Sequence, residues 1–263
     1  MLRTRLLIAA AVGCLALALA LHGGDTDRSW FLAVNDAAWR WLAPAVLSCI
    51  TILGHGLSAT MLMSPTLLRA PGLLAAGLYS APAALLLSRA PKALIDSPRP
   101  AAVLDAASIH IDGMRLAAHN SFPSGHALTA FMLVAVLLAN RPGLRMRLPA
   151  QVAIVLLGAA VAVSRIGVGA HWPSDTLAGA GLGLCAGVAG SWAALRWPLG
   201  HGRATQAALA AIVLACAVAL ARIDLGYPLA QPLQWALAAL GVAVSALALW
   251  RLRAAPPSPV RAQ

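Results

Sequence analysis

The chain contains no glutamate, one lysine (Lys92), three phenylalanines, two tyrosines and four cysteines among its 263 residues. Charged side chains make up 10% of it, against roughly 25% in an ordinary soluble domain. That shortage excludes a soluble globular protein. With 60% hydrophobic residues and a mean hydropathy of +0.80, the chain is composed for lipid. Its eight acids are all aspartates and are scattered, whereas a hard-cation site wants several carboxylates in one place. Cys14, Cys49, Cys185 and Cys216 each lie inside an apolar run and fit no metal-ligand spacing. They read as small buried hydrophobes. The net charge of +11 raises nucleic acid as a partner. The arginines are dispersed between apolar runs and form no continuous basic face, so that class is set aside. Neither an internal repeat nor a soluble domain stands out.

What is present is a series of long apolar runs. A bilayer-spanning helix needs about 20 predominantly apolar residues, and eight stretches qualify: 6–21, 42–63, 72–90, 124–140, 149–166, 174–194, 205–222 and 232–250. For the first, a cleaved leader ending near Ala18-Leu19-Ala20 competes with a span; either places residue 25 outside the cytoplasm. With the N-terminus inside, alternation puts eleven arginines in the cytoplasmic segments. The other eight cations and all eight aspartates fall outside. This is the positive-inside pattern. It implies a multi-pass membrane protein with both termini cytoplasmic. The expected organisation is an all-α polytopic helix bundle: a six-helix core over 1–195, two further spans over 196–252, and a disordered tail over 253–263, whose Pro256-Pro257-Ser258-Pro259 cannot continue a helix.

Smaller features fill in the architecture. Trp30, Phe31, Trp39 and Trp41 punctuate a partly polar stretch after the first span, which reads as an interfacial helix on the outer leaflet. Gly179, Gly183, Gly187 and Gly190 form a small-residue ridge that invites close helix approach. Pro44 and Pro82 are expected to perturb their helices.

Against this apolar background stand three polar clusters: Lys92-Ala-Leu-Ile-Asp-Ser-Pro-Arg99-Pro100, Pro123-Ser124-Gly125-His126, and Ser164-Arg165 followed by His171 and Asp175. Ionisable groups in a membrane protein are costly and read as functional. Each cluster lies at the end of an apolar run, and the charge-derived topology brings all three to the outer surface. Lys92, Arg99 and Arg165 supply three cations, and arginine matches phosphate oxygens bidentately. Ser124 and Gly125 open a helix, where amides and dipole favour an anion. A phosphate monoester suits such a cage, as does the charge spread over the equatorial oxygens in phosphoryl transfer.

For the nucleophile the region offers no cysteine, and Ser124 has no evident base. His171 has Asp175 four residues on, able to fix its tautomer and stabilise charge on it. A neutral His171 can attack phosphorus. His126 then serves as general acid for the leaving alkoxide and as base for water. The bland alternatives are snorkelling for Lys92 and Arg99, and a metal on His171 and Asp175, which three neighbouring cations oppose. His22 and His55 read as packed polar residues. His110 and His119 read as solvated loop residues, with His119 close enough to meet substrate.

The eleven motif positions, Lys92, Arg99, Pro100, Pro123, Ser124, Gly125, His126, Ser164, Arg165, His171 and Asp175, resemble in order the signature of the type-2 phosphatidic-acid phosphatase family. Its superfamily also includes bacterial acid phosphatases and vanadium haloperoxidases. The resemblance implies His171 as nucleophile, Asp175 as its partner and His126 as acid, with Lys92, Arg99, Ser124, Gly125 and Arg165 holding phosphate. It further implies a helical core without metal or other cofactor, opening to the extracytoplasmic leaflet. The expected partner is a phospholipid or polyprenyl phosphate in the bilayer: undecaprenyl pyrophosphate, placed first, phosphatidylglycerol phosphate, phosphatidic acid or a lipid A phosphate. The outer loop 101–122, with Asp105, His110, Asp112 and Arg115, is expected to choose among them. Rival functions are a phosphotransferase that passes the phosphoryl group to a lipid hydroxyl and a lipid transporter without chemistry. Oligomeric state is not legible in the sequence.

Overall fold

The computed structural model of the chain describes residues 2–139, 146–200 and 202–254. In chain order the helices are α1 (Leu2–Leu21), α2 (Asp25–Trp41), α3 (Pro44–Ile52), α4 (Gly56–Met63, prolonged by a 3-10 turn over Ser64–Leu68), α5 (Pro71–Leu94) and α6 (Pro100–Val103). They continue with α7 (Gly125–Leu138), α8 (Leu148–Gly167), α9 (Pro173–Arg196), α10 (Arg203–Arg222) and α11 (Gln231–Ala254). Among the described residues the regular structure is helical, apart from one isolated bridge between Ser97 and Asn120. The fold is an all-α polytopic membrane bundle. Leu19, Leu86 and Leu156 point outward without protein cover, as lipid-facing residues should. Most of the tail expected to be disordered lies outside the described residues, as do Arg141 and Arg145.

Among the described residues six helices are long and apolar enough to cross a membrane, or seven if one bent pair counts as a span. The expected span 42–63 is instead broken: α3 and the α4 segment meet at a bend of 75°. The break falls at Gly54-His55-Gly56, where two glycines weaken the helix. The expected span 124–140 forms a helix of only 14 residues, about 21 Å long at 1.5 Å per residue. It is enclosed by α5, α8 and α9, so it need not match the bilayer thickness. Pro44 does not perturb a helix; it occupies the first turn of α3, where its missing N–H costs nothing. Pro82 lies inside α5.

The helix α9 is central, packed by α1, α5 and α7. Its glycine ridge receives backbone directly. A Cβ at Gly179, Gly183 or Gly187 would lie 2.4, 2.2 or 2.4 Å from the carbonyl oxygens of Ser124, Leu128 and Met132 on α7. Gly190 faces the hydroxyl and amide nitrogen of Ser80 on α5. A helix-interior glycine costs about 1 kcal/mol relative to alanine. Here that cost is offset by backbone approach that any side chain would prevent.

The helix ends gather in two groups. At one end Tyr79 donates to the Trp197 carbonyl and Arg203 to that of Leu252. At the other end lie the C-termini of α5 and α8, the N-termini of α7 and α9, helix α2 and the α10–α11 turn. This second end holds the buried polar groups.

Candidate active site

The loop 168–172 carries His171, which is 3% exposed. Trp172 caps α9, and Asp175, third in the helix, reaches back to accept the Trp172 N–H at 2.9 Å. The same carboxylate oxygen lies 3.3 Å from His171 Nδ1 and accepts the Ser121 hydroxyl at 2.5 Å. On the far side of the ring, Arg99 Nη1 stands 3.3 Å from Nε2 and donates to the Ala170 carbonyl at 2.9 Å. A guanidinium can only donate, so Nε2 is the acceptor and Nδ1 carries the proton toward Asp175. Burial first, then the positive charges of Arg99, Arg165 and Lys92, hold the pKa of His171 well below the usual imidazole value. The ring is neutral, and its Nε2 lone pair faces Arg99.

The three cations come from separate elements. Lys92, in the last turn of α5, donates to the carbonyls of Asn120 at 2.5 Å and Ser121 at 3.2 Å. Arg99 grips the Asn120 side-chain oxygen with Nε and Nη2, both at 3.2 Å. Its segment is pinned by the Ser121 N–H to Ser97 and by its own N–H to Ala118. Arg165, 3% exposed at the end of α8, donates to Thr51 Oγ1 at 3.1 Å and the Tyr227 hydroxyl at 2.7 Å. Its Nε has no hydrogen-bond partner among the described residues. None of the three forms a salt bridge with any described residue. Three cations held only by neutral groups among the described residues are an arrangement suited to an anion.

Ser124 caps α7, its hydroxyl accepting the Ala127 N–H at 3.5 Å and its own N–H donating to the Asp175 carbonyl at 2.9 Å. That leaves Gly125 and His126 as the helix-start amides for an anion. His126 lies on the α7 face toward Arg165, His171 and Arg99. It also lines a cavity of about 460 Å³ between α4, α5 and α7. Along α5 this cavity runs from Arg89 to Leu74, about 22 Å of helix rise, and its walls are mostly apolar. Ser164 turns away and bonds Thr51 and the Val161 carbonyl.

The other histidines divide. His55 lines the same cavity, its ring centroid 6.1 Å from that of His126. His22 packs on Phe122. His110 stacks on Trp39 at 4.9 Å, and His119 pairs with Asp96 at 3.0 Å on the surface. In the loop 101–122, Asp112 accepts from Ser48 and Arg115 donates to the Ala101 carbonyl; these groups hold the loop. Asn120 and Ser121, which reach the site, carry no motif signal in the sequence. Thr51, Tyr227 and Asn35 are likewise missed. Asn35, fully buried in α2, donates to the carbonyls of His110, Ile166 and Gly167 and ties down the turn ahead of His171. A polar side chain inside an apolar run was the one available signal for Thr51.

Residues 72–198 match the family model of the PAP2 superfamily. Among solved structures the chain is similar to the crystal structure of Aquifex aeolicus LpxE, with 20% identity and a TM-score of 0.55. The match covers 65% of this chain and 97% of that one. At that identity it speaks to the fold. A comparison with curated proteins finds no match.

Proposed function

We propose, from the premise that residues 72–198 belong to the PAP2 superfamily, that the chain is an integral membrane lipid phosphatase acting through a phosphohistidine. The observation that carries this reading is the neutral His171, with its Nε2 at Arg99 and with Arg165 and Lys92 close by, three cations that have no carboxylate partner among the described residues, beside an apolar cavity lined by His126. The phosphoryl group of the substrate occupies the cage of Lys92, Arg99, Arg165 and the α7 amides. The lipid chain runs down the cavity past Ala84 and Leu128 toward Met63.

His171 Nε2 forms a bond to phosphorus as the ester or anhydride P–O bond breaks. Asp175, through Nδ1, stabilises the positive charge that develops on the ring. His126 delivers a proton to the departing oxygen, then takes one from water as that water attacks the phosphohistidine. Orthophosphate leaves and His171 returns to its neutral state. Every group in this scheme comes from the chain itself, and no metal step is needed. The positive-inside bias of the sequence supports an extracytoplasmic cage.

The test is a panel of long-chain lipid phosphates and pyrophosphates assayed with purified protein in detergent, reading free orthophosphate and phosphorylated lipid acceptor separately. Orthophosphate release from at least one lipid supports the reading. Transfer to acceptor without release makes the protein a phosphotransferase, and turnover of water-soluble esters alone contradicts a lipid substrate.

A further inference from the structure

The turn between α10 and α11 lies outside the segment that matches the family, yet it reaches the phosphate cage. Its Tyr227, 9% exposed, packs with Leu47, Ile52, Val168 and Ala170. Gly226 before it and Gly113 opposite both have φ of +76°. A Cβ on Gly113 would stand 2.5 Å from the Gly226 carbonyl oxygen and 2.7 Å from the Tyr227 ring. The turn and the outer loop therefore interlock where no side chain would fit, and this fixes where the phenol points.

Its hydroxyl accepts the Arg165 Nη1 proton at 2.7 Å, and Arg165 Cζ stands 5.8 Å from the centre of its ring. Two neutral hydroxyls, Tyr227 and Thr51, cannot neutralise a buried guanidinium; they can orient it. The phenol oxygen is thus engaged by Arg165 and placed by the ring's packing. A guanidinium has five N–H donors in a fixed fork. Holding one terminal nitrogen aims the rest, including the unpartnered Nε, at an anion.

We infer that Tyr227 is a positioning residue of the phosphate site, through which the C-terminal helical hairpin holds Arg165 in the orientation that grips a phosphoryl oxygen. The inference deepens the phosphatase reading and rests on it. The hairpin thus completes the active site from outside the matched segment. Simple docking of the hairpin would need the ring alone; the proposed role needs the hydroxyl.

Tyr227→Phe keeps the ring and deletes the hydroxyl. In the full chain in detergent, orthovanadate affinity, read by thermal-shift titration, is expected to weaken about tenfold, as for a lost hydrogen bond to a charged group. The loss in turnover should fall mainly on kcat, with the ligand-free melting temperature unchanged. Tyr79→Phe, which removes the only other tyrosine hydroxyl, should leave vanadate binding as it was. Because vanadate binding needs no turnover, a protein that binds it but hydrolyses no lipid phosphate would fail the functional reading while still testing Tyr227. If Tyr227→Phe does not accumulate, the Tyr79→Phe protein grown on fluorotyrosine carries a single, more acidic phenol at 227. Its vanadate affinity should fall as pH rises through that phenol's ionisation, since a phenolate neutralises Arg165 and repels the anion. Vanadate affinity unchanged in Tyr227→Phe, or a flat pH response in the fluorinated protein, overturns the inference, as does a wild type that does not bind vanadate.

Discussion

Helix α7 has two very different sides. Toward α9 it lies backbone on backbone, its carbonyls at Ser124, Leu128 and Met132 seated over Gly179, Gly183 and Gly187. Toward α4 and α5 it leaves a cavity of about 460 Å³. The tight side joins the starts of two helices through the Ser124 N–H to Asp175 bond, so the elements bearing His126 and His171 hold a fixed relation. The loose side leaves room for the lipid chain of the proposed substrate. His126 stands on the seam, touching both. In the proposed function, the rigid side carries the reacting groups and the open side takes the hydrocarbon chain.

The comparison breaks most severely at Gly183. Gly183→Leu would drive a side chain into the Leu128 carbonyl, beyond ordinary overpacking of about 1–3 kcal/mol. The expected result is loss of folded protein in the membrane, seen as loss of a monodisperse peak in size-exclusion chromatography. A stable Gly183→Leu protein would show that the tight face is not needed.

Arg99→Gln should act on the chemistry while leaving the helices in place. Losing a charged phosphate contact is expected to lower kcat/KM about 10- to 100-fold. It also removes the positive charge that, after burial, does most to depress the His171 pKa. In the wild type the acid limb of kcat/KM should therefore lie below the ordinary imidazole value of about 6.5. In Arg99→Gln, proton binding to His171 becomes easier and the limb should move to higher pH. A limb that stays put, measured over the same pH range, would detach His171 from that ionisation.

The smallest effect belongs to the loose side. Ala84→Leu narrows the cavity and should raise KM for long-chain substrates about tenfold, the low end of the scale for one methylene in an apolar pocket, with kcat nearly unchanged. An equal effect on short-chain substrates would argue that the chain lies elsewhere.

Much of this was legible because it is local. Lys92, Arg99, His126, Arg165, His171 and Asp175 stand out as costly groups in an apolar chain, and charge bias alone brought their helix ends to one surface. The structure gathers them there. What stayed hidden acts across long separations: Asn35 to Ile166, Ser121 to Asp175, Tyr227 to Arg165. Such pairings follow from packing, which no spacing in one sequence reveals. The stretch 25–41 reads by composition as an interfacial helix, and its Asp27, buried against Ser174, looked like one more outer acid. The bend at Gly54-His55-Gly56 disappears inside an otherwise uniform apolar run. The glycine ridge of α9 was visible as a ridge, but the partner it admits was not.

The central claim is that a neutral imidazole at position 171 takes the phosphoryl group. Rapid quench of the full protein with radiolabelled lipid phosphate, followed by digestion under alkaline conditions and mass spectrometry, tests it directly. An acid-labile, alkali-stable phosphoryl group is expected on His171, absent in His171→Ala and longer-lived in His126→Ala, where water lacks its base. Label on any other residue, or turnover with no labelled protein at any quench time, would contradict it.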